Sequence, residues 1–162
     1  MKVIFPGSFS PPTKGHLNII KRASLLFDTL HVAVGSDDAK APSPFTLEER
    51  KGFLETLTKN LSNVSVSAFE GLLFPYAKEL GCQVILRSVR SISDLERERI
   101  LAETNFRLSG LETLFLFADP QHASISSTLI RDLALKGQSL SLFVPEEIES
   151  AIFTRLSSLR NI

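Results

Sequence analysis

The chain has 162 residues, and its 18 lysines and arginines are balanced by 18 aspartates and glutamates, so the formal net charge is zero. With 43% hydrophobic and 22% charged residues, a chain of this length has the composition of one folded domain, or of two very small ones. The neutral balance argues against a protein that holds duplex nucleic acid mainly through bulk positive charge, but it leaves room for a local cationic cleft.

Short apolar runs alternate with helical patterns along the first half of the chain. Ile19, Ile20 and Ala23 recur on one face of a helical pattern over 16–27. Thr46 is followed three residues later by Glu49, the pattern of a capping box that opens a helix. The first half is therefore predicted to contain strands at 2–5, 30–35 and 63–69 and helices at 16–27 and about 46–60.

The second half continues the same alternation. Gly81 suits the end of a short helix, because it adopts a left-handed backbone at little cost. Ser93 and Glu96 form a second capping-box pattern, which predicts a helix from there to about 108. The predicted strands are 83–87 and 112–118, and the predicted helices are about 72–80, 93–108, 126–136 and 145–158.

This alternation predicts an α/β fold in which five mostly parallel strands form one sheet with helices on both faces. Right-handed crossovers then give an open, doubly wound, Rossmann-like arrangement, and we expect residues 1–162 to form a single domain. Such sheets bind ligands beyond the carboxyl ends of their strands, where the strand order reverses. The loops to inspect are therefore 6–15, 36–45, 70–73, 88–92 and 119–126.

The single cysteine, Cys82, excludes an internal disulfide framework, and with three histidines it argues against a structural zinc site. We expect a reducing, cytoplasmic setting. Residues 1–16 lack the pattern of a signal peptide, and no apolar run approaches the length that a membrane span needs. We therefore expect no membrane partner and no nucleic-acid partner.

The loop after the first strand, 6–15, carries neither the glycine pattern of a dinucleotide-binding turn nor that of a P-loop. Its prolines make it rigid, and Gly15 and His16 open the following helix. The free N–H groups of a helix start favour a phosphate, and His16 would face that phosphate as a hydrogen-bond donor or a cation. The alternative is a rigid turn in which His16 only begins the helix.

Three further segments carry charge or hydroxyl groups beyond predicted strand ends. Arg87 and Arg90 can aim two guanidinium groups into one cleft, where each can bind a phosphate through two hydrogen bonds; the alternative is two solvated surface arginines. Segment 124–128 can hold phosphates with its hydroxyl and N–H groups, or it can simply cap a helix. Lys40 and Glu98 can be ligand-binding residues or ordinary solvated surface charges. Leu73 can contact a ligand or simply pack in the core.

Residues 7–16, GSFSPPTKGH, closely resemble the G-x-F-D-P-x-[TH]-x-G-H signature of the nucleotidylyltransferase superfamily. From Lys2 to about Leu156 the chain resembles the phosphopantetheine adenylyltransferase family within it. The family's motifs appear in order at 45–50, 87–90, 94–98 and 125–128.

The resemblance implies transfer of an adenylyl group from ATP to 4′-phosphopantetheine, which gives dephospho-coenzyme A and pyrophosphate. It makes His16, Lys40 and Arg87 catalytic, with His16 stabilising the transition state, and it implies Mg²⁺ with ATP and a homohexamer. The residues that it places against 4′-phosphopantetheine are Ser8, Lys40, Leu73 and Arg87. The residues that it places against ATP are Ser8, Phe9, His16, Ser88, Val89, Arg90, Glu98, His122, Ala123, Ser124, Ile125, Ser126, Ser127 and Thr128.

Three positions depart from the family's pattern: Ser10 replaces an aspartate, Ser88 replaces a glycine, and Phe106 stands where an arginine is usual. They leave two alternatives open. One is a nucleotidylyltransferase that acts on nicotinate mononucleotide or a phospho-alcohol, and the other is a nucleotide-binding module without catalysis.

Overall fold

The computed structural model describes residues 1–35 and 42–158, and its centre is one sheet of five parallel strands. The strands stand in the order β3-β2-β1-β4-β5, so the chain winds outward to one edge and then to the other. This confirms the predicted doubly wound α/β fold. The strands are β1 (Lys2–Gly7), β2 (Thr29–Gly35), β3 (Val64–Phe69), β4 (Val84–Val89) and β5 (Glu112–Phe117).

Six helices accompany this sheet among the described residues. Apolar side chains of α1 and α2 pack on one face of the sheet and those of α3 on the other. None of the described helices is both long and apolar enough to cross a membrane. The helices are α1 (Lys14–Leu26), α2 (Leu47–Thr58), α3 (Leu73–Glu79), α4 (Ile92–Ser109), α5 (Ser127–Leu135) and α6 (Glu146–Ser158).

A second apolar cluster brings the end of the chain against α2. Ile130 of α5 and Ile148 and Ile152 of α6 are buried together with Phe45, and Phe53 of α2 packs on them. The segment that begins α5 is therefore held by a core of its own beside the sheet, which fixes the direction from which it approaches the strand ends.

Helix starts follow the predicted chemistry at α2 and differ at α4. The Thr46–Glu49 capping box is present, with Thr46 accepting from the Glu49 N–H at 3.1 Å. The capping box predicted from Ser93 is wrong: Ser91 is the cap of α4, and its hydroxyl accepts from the Asp94 N–H at 3.2 Å. The sequence offers serine at both positions, and α4 begins after the earlier one, which lies two residues beyond the end of β4 at Val89.

The strand order reverses between β1 and β4, and there the two strands separate. Their ladder pairs only Val3 with Val84 and Ile4 with Ile85, although each strand has six residues. Pro6 lies just beyond these pairs and has no N–H to donate. The crevice between the strand ends therefore opens at the place where open α/β sheets bind ligands.

Candidate functional site

His16 is built into the first turn of α1. The Thr13 hydroxyl accepts from the His16 N–H at 3.1 Å, and His16 Nδ1 accepts from the Thr13 N–H at 3.1 Å. The edge of the His16 ring packs against Phe9, with ring centroids 5.0 Å apart. Because Nδ1 is an acceptor in this capping box, the ring proton of the neutral form lies on Nε2, which remains as the donor.

The surroundings of His16 keep its ring neutral. Burial of the ring, followed by the positive charge of Arg90, lowers the pKa of His16 from 6.5 to about 4. Of the two roles expected from the sequence, a donor or a cation, the neutral donor is therefore the form present near pH 7 in the unliganded protein.

Arg87 connects β4 to β1 at the crevice between them. Its Nη1 donates to the carbonyl of Pro6 at 3.0 Å, and its Nε and Nη2 donate to the two carboxylate oxygens of Glu98 at 2.6 and 2.8 Å. Arg87 thus joins β1, β4 and α4. The predicted strand, 83–87, ended at Arg87, but β4 extends to Val89, so Arg87 lies two residues before its end.

Arg90 connects the end of β4 to the segment before α5. Its Nη1 donates to the carbonyl of Ile125 at 3.2 Å, and its backbone N–H donates to Asp94 at 3.1 Å. The charge of Arg90 also acts on His16. The structure therefore brings together three elements that the sequence predicted to share a cleft: the start of α1, the end of β4 and the segment 122–128.

Two hydrogen bonds fasten that segment and α5 to the loop after β1. The Ser127 hydroxyl donates to the carbonyl of Pro11 at 2.8 Å, and Arg131 Nη1 donates to the carbonyl of Ser10 at 2.5 Å. A Cβ placed on Gly15 would lie 3.6 Å from the carbonyl oxygen of His122, so the two backbones approach closely, as expected for a glycine there.

Arg50 is a buried positioning residue to which the sequence analysis gave no role. Its side chain donates to the carbonyl oxygens of Thr46, Ser8 and Gly35 at 3.3, 2.6 and 3.1 Å, and the residue is 4% exposed. Burial lowers the pKa of Arg50 from its ordinary value. An arginine in the first turn of a capped helix does not by itself signal this role, because two of its three partners, the carbonyls of Ser8 and Gly35, are distant in sequence.

The remaining predicted site residues differ in their surroundings. Ser8 is exposed and Ser88 is half-buried. Val89 is fully buried, so its side chain belongs to the core and any ATP contact would use its backbone. Leu73 packs against the buried cluster around Ile4, as core packing requires. Lys40 lies outside the described residues.

The segment 122–128 contains side chains that cap α5 and a buried polar atom without a hydrogen-bond partner among the described residues. Ser126 caps α5 by accepting from the Leu129 N–H at 3.1 Å, and Thr128 accepts from Arg131. Ala123 and Ser124 lie in the turn before the helix. The buried Nδ1 of His122 has no hydrogen-bond partner among the described residues. The ammonium of Lys14, the first residue of α1, donates to the carbonyl of Ser141 at 2.5 Å.

This arrangement offers donors and positive charge at a strand-order reversal. A neutral imidazole, two guanidinium groups and the start of α1 lie at the ends of β1 and β4. Such groups suit a polyphosphate whose charge is redistributed during reaction. Within residues 1–35 and 42–158, no group of three His, Cys, Asp or Glu side chains could hold a metal ion.

Comparison with known proteins identifies the family. The cytidylyltransferase-like family model matches residues 4–133. A phosphopantetheine adenylyltransferase of Finegoldia magna is 43% identical over 157 residues, which are 96% of each chain. The enzyme of that name from Gloeobacter violaceus is 44% identical over 158 residues, 97% of this chain and 98% of its own.

Solved structures agree in fold. A Vibrio parahaemolyticus protein assigned as a nicotinate-nucleotide adenylyltransferase superposes with a TM-score of 0.64 at 19% identity, over 95% of this chain and 94% of its own. A bifunctional NMN adenylyltransferase/ADP-ribose pyrophosphatase of Francisella tularensis, in complex with AMP and manganese, gives 0.62 at 16% identity, over 99% of this chain and 49% of its own. The chain therefore belongs to the cytidylyltransferase-like family, as a nucleotidyltransferase of the phosphopantetheine adenylyltransferase type.

Proposed function

We propose that this chain transfers the adenylyl group of ATP to 4′-phosphopantetheine. A phosphate oxygen of the acceptor attacks the α-phosphorus of ATP, the bond from that phosphorus to the bridging oxygen breaks, and pyrophosphate leaves with its electron pair. The products are dephospho-coenzyme A and pyrophosphate. The observation that carries the proposal is the position of His16 at the strand-order reversal, where the Thr13 N–H donates to its Nδ1 and Nε2 is left as the donor.

In this proposal the protein acts by positioning and by stabilising charge, without a covalent intermediate. His16 donates its Nε2 proton in a hydrogen bond to the transferring phosphate, where charge builds up in the transition state. Arg87, with Ser8 and Lys40, orients the acceptor phosphate, and Leu73 contacts the pantetheine arm. Arg90 and segment 122–128 hold ATP, joined by Phe9, Ser88 and Val89. Glu98, which the resemblance also places against ATP, is bonded to Arg87.

Mg²⁺ fits this chemistry as an ion carried by ATP. Among the described residues there is no ligand cluster for a metal, and the two acidic side chains nearest the arginines are engaged: Glu98 by Arg87 and Asp94 by Arg90 and Arg97. Such an ion would neutralise phosphate charge while several of its ligands stay water and phosphate oxygens. No step of the transfer is assigned to it.

The test is pyrophosphate release from ATP with a panel of acceptors: 4′-phosphopantetheine, nicotinate mononucleotide and a phospho-alcohol. We expect turnover with 4′-phosphopantetheine alone. Reaction with only one of the other acceptors would overturn the proposed substrate, and ATP binding without turnover on any acceptor would overturn the proposed catalysis. The identity of 37–44% to enzymes named phosphopantetheine adenylyltransferase supports the first outcome.

We also propose that the enzyme works as a homo-oligomer in the cytoplasm, as one domain, and the resemblance favours a hexamer. The support lies in α4, an 18-residue helix without a buried residue. Apolar side chains exposed in this way mark a surface that another molecule covers. Those on α4 are Ile92, Ile100, Leu101, Phe106 and Leu108. Sedimentation at micromolar concentration tests the proposal, and a monomer would overturn it.

A further inference from the structure

The resemblance assigns Arg87 and Glu98 to different substrates, yet in the structure they are bonded to each other. Both carboxylate oxygens of Glu98 accept from Arg87, at 2.6 and 2.8 Å. We propose that Glu98 is a positioning residue for Arg87, which holds the guanidinium in the orientation that receives the acceptor phosphate. The inference rests on the proposed function, in which Arg87 binds that phosphate.

The geometry fixes the guanidinium on two sides. Glu98 takes the edge formed by Nε and Nη2, and the carbonyl of Pro6 takes one N–H of Nη1 at 3.0 Å. A guanidinium has five N–H donors in one plane. Beyond these three contacts with the described residues, one N–H on Nη1 and one on Nη2 are left to donate to a phosphate.

The surroundings make this pair strong. The Glu98 side chain is 13% exposed and that of Arg87 is 29% exposed, so both charges are largely withdrawn from water. Charge-assisted, two-point bonds of this kind keep a fixed geometry better than exposed ion pairs. Because both oxygens of Glu98 face Arg87, its influence is directed at the guanidinium and through it at the acceptor.

Helix α4 supplies a matched control. Glu103 pairs with Arg99 on the same helix, but the two side chains are 54% and 63% exposed. Replacing glutamate by glutamine keeps the size of the side chain and removes its charge at both positions. Glu103→Gln therefore repeats the chemical change of Glu98→Gln at a pair outside the proposed site.

The test compares KM for each substrate in Glu98→Gln and Glu103→Gln. The glutamine side chain keeps one oxygen that can accept from Arg87. Its NH₂ group replaces the second oxygen and cannot accept a hydrogen bond from the guanidinium. We expect Glu98→Gln to raise the KM for 4′-phosphopantetheine by about tenfold or more, since a charge-assisted hydrogen bond is worth about 1.5–3 kcal/mol and each 1.4 kcal/mol is tenfold. The KM for ATP should stay within about twofold, and Glu103→Gln should change neither constant.

A rise confined to the KM for ATP would make Glu98 a direct ATP ligand and overturn the inference, as would no change in either constant. An Arg87→Met background separates a positioning role from general destabilisation. There, Glu98→Gln should add no further increase in the KM for 4′-phosphopantetheine, and a full additional increase would contradict the inference. If Arg87→Met itself left that constant unchanged, the proposed role of Arg87 would fail instead. Melting temperatures identify variants that fail to fold.

Discussion

The two halves of the sheet differ in how deeply their residues are buried. In the half wound first, every residue of β2 except Thr29 is buried, and α1 buries Ile19, Ile20 and Ala23. In the other half, three of the six residues of the edge strand β5 are exposed, against one of six in the edge strand β3. Helix α4 has no buried residue, although it is five residues longer than α1.

This difference divides the site. The first turn of α1, which carries His16, is anchored in the buried half by its capping box and by the contact between His16 and Phe9. Arg50 holds the loop before it through the carbonyl of Ser8. Glu98, the partner of Arg87, lies on α4, which has no buried residue and exposes five apolar side chains among its charged ones. One half of the site is therefore rigid within the chain, whereas the other has its carboxylate on a helix that packs without burying any residue.

The largest effect is expected at the rigid half, in the variant His16→Ala. Removing a donor aimed at developing charge typically lowers kcat by about 10²–10³, and we expect a loss in that range or greater. ATP affinity should remain within about tenfold, because the bond strengthens mainly in the transition state. Steady-state kinetics with calorimetric ATP binding measures both. Near-normal turnover would contradict the assignment of His16.

Arg50→Met tests whether the buried half holds the loop. It leaves the carbonyl oxygens of Ser8 and Gly35 without their buried donor, so we expect the free energy of unfolding to fall by about 3 kcal/mol and kcat to fall as well. Urea denaturation provides the first value. The control is Arg107→Met, at an exposed position of α4, which should stay within about 0.5 kcal/mol. Equal stability of the two variants would refute the role of Arg50.

A third prediction concerns pH. The pKa of His16 is about 4 in the folded protein and about 6.5 in an unfolded chain. As pH falls, the imidazole therefore becomes protonated in the unfolded state before it does in the folded state. The free energy of unfolding decreases between pH 6.5 and about 4, by at most about 3 kcal/mol. The His16 ring signal in NMR, identified by its loss in His16→Asn, should stay constant from pH 8 to 5. A midpoint near 6.5 would contradict the lowered pKa of His16.

The sequence predicted the order and type of all eleven elements, because apolar periodicity and caps are local signals. It also placed His16, Arg90 and Ile125 at one end of the sheet, since parallel strands bring their carboxyl ends together. It missed the Arg87–Glu98 pair and the three carbonyl partners of Arg50. Arg87 and Glu98 are 11 positions apart, and Arg50 is 15 and 42 positions from Gly35 and Ser8. Such contacts form only when strands and helices pack together, so local sequence patterns do not reveal them.

The smallest effect on the isolated chain is expected from Phe106→Glu on α4. Phe106 is 49% exposed, so the variant should change the free energy of unfolding of a monomer by no more than about 0.5 kcal/mol. In an oligomer that covers α4, however, it buries an unpaired charge, and sedimentation should show dissociation. Leu142→Glu, at a position 75% exposed and outside α4, should leave the mass unchanged.

An unaltered mass in Phe106→Glu would show that assembly leaves α4 uncovered at Phe106. Dissociation accompanied by a higher KM for 4′-phosphopantetheine would show that covering α4 completes the half of the site that carries Glu98.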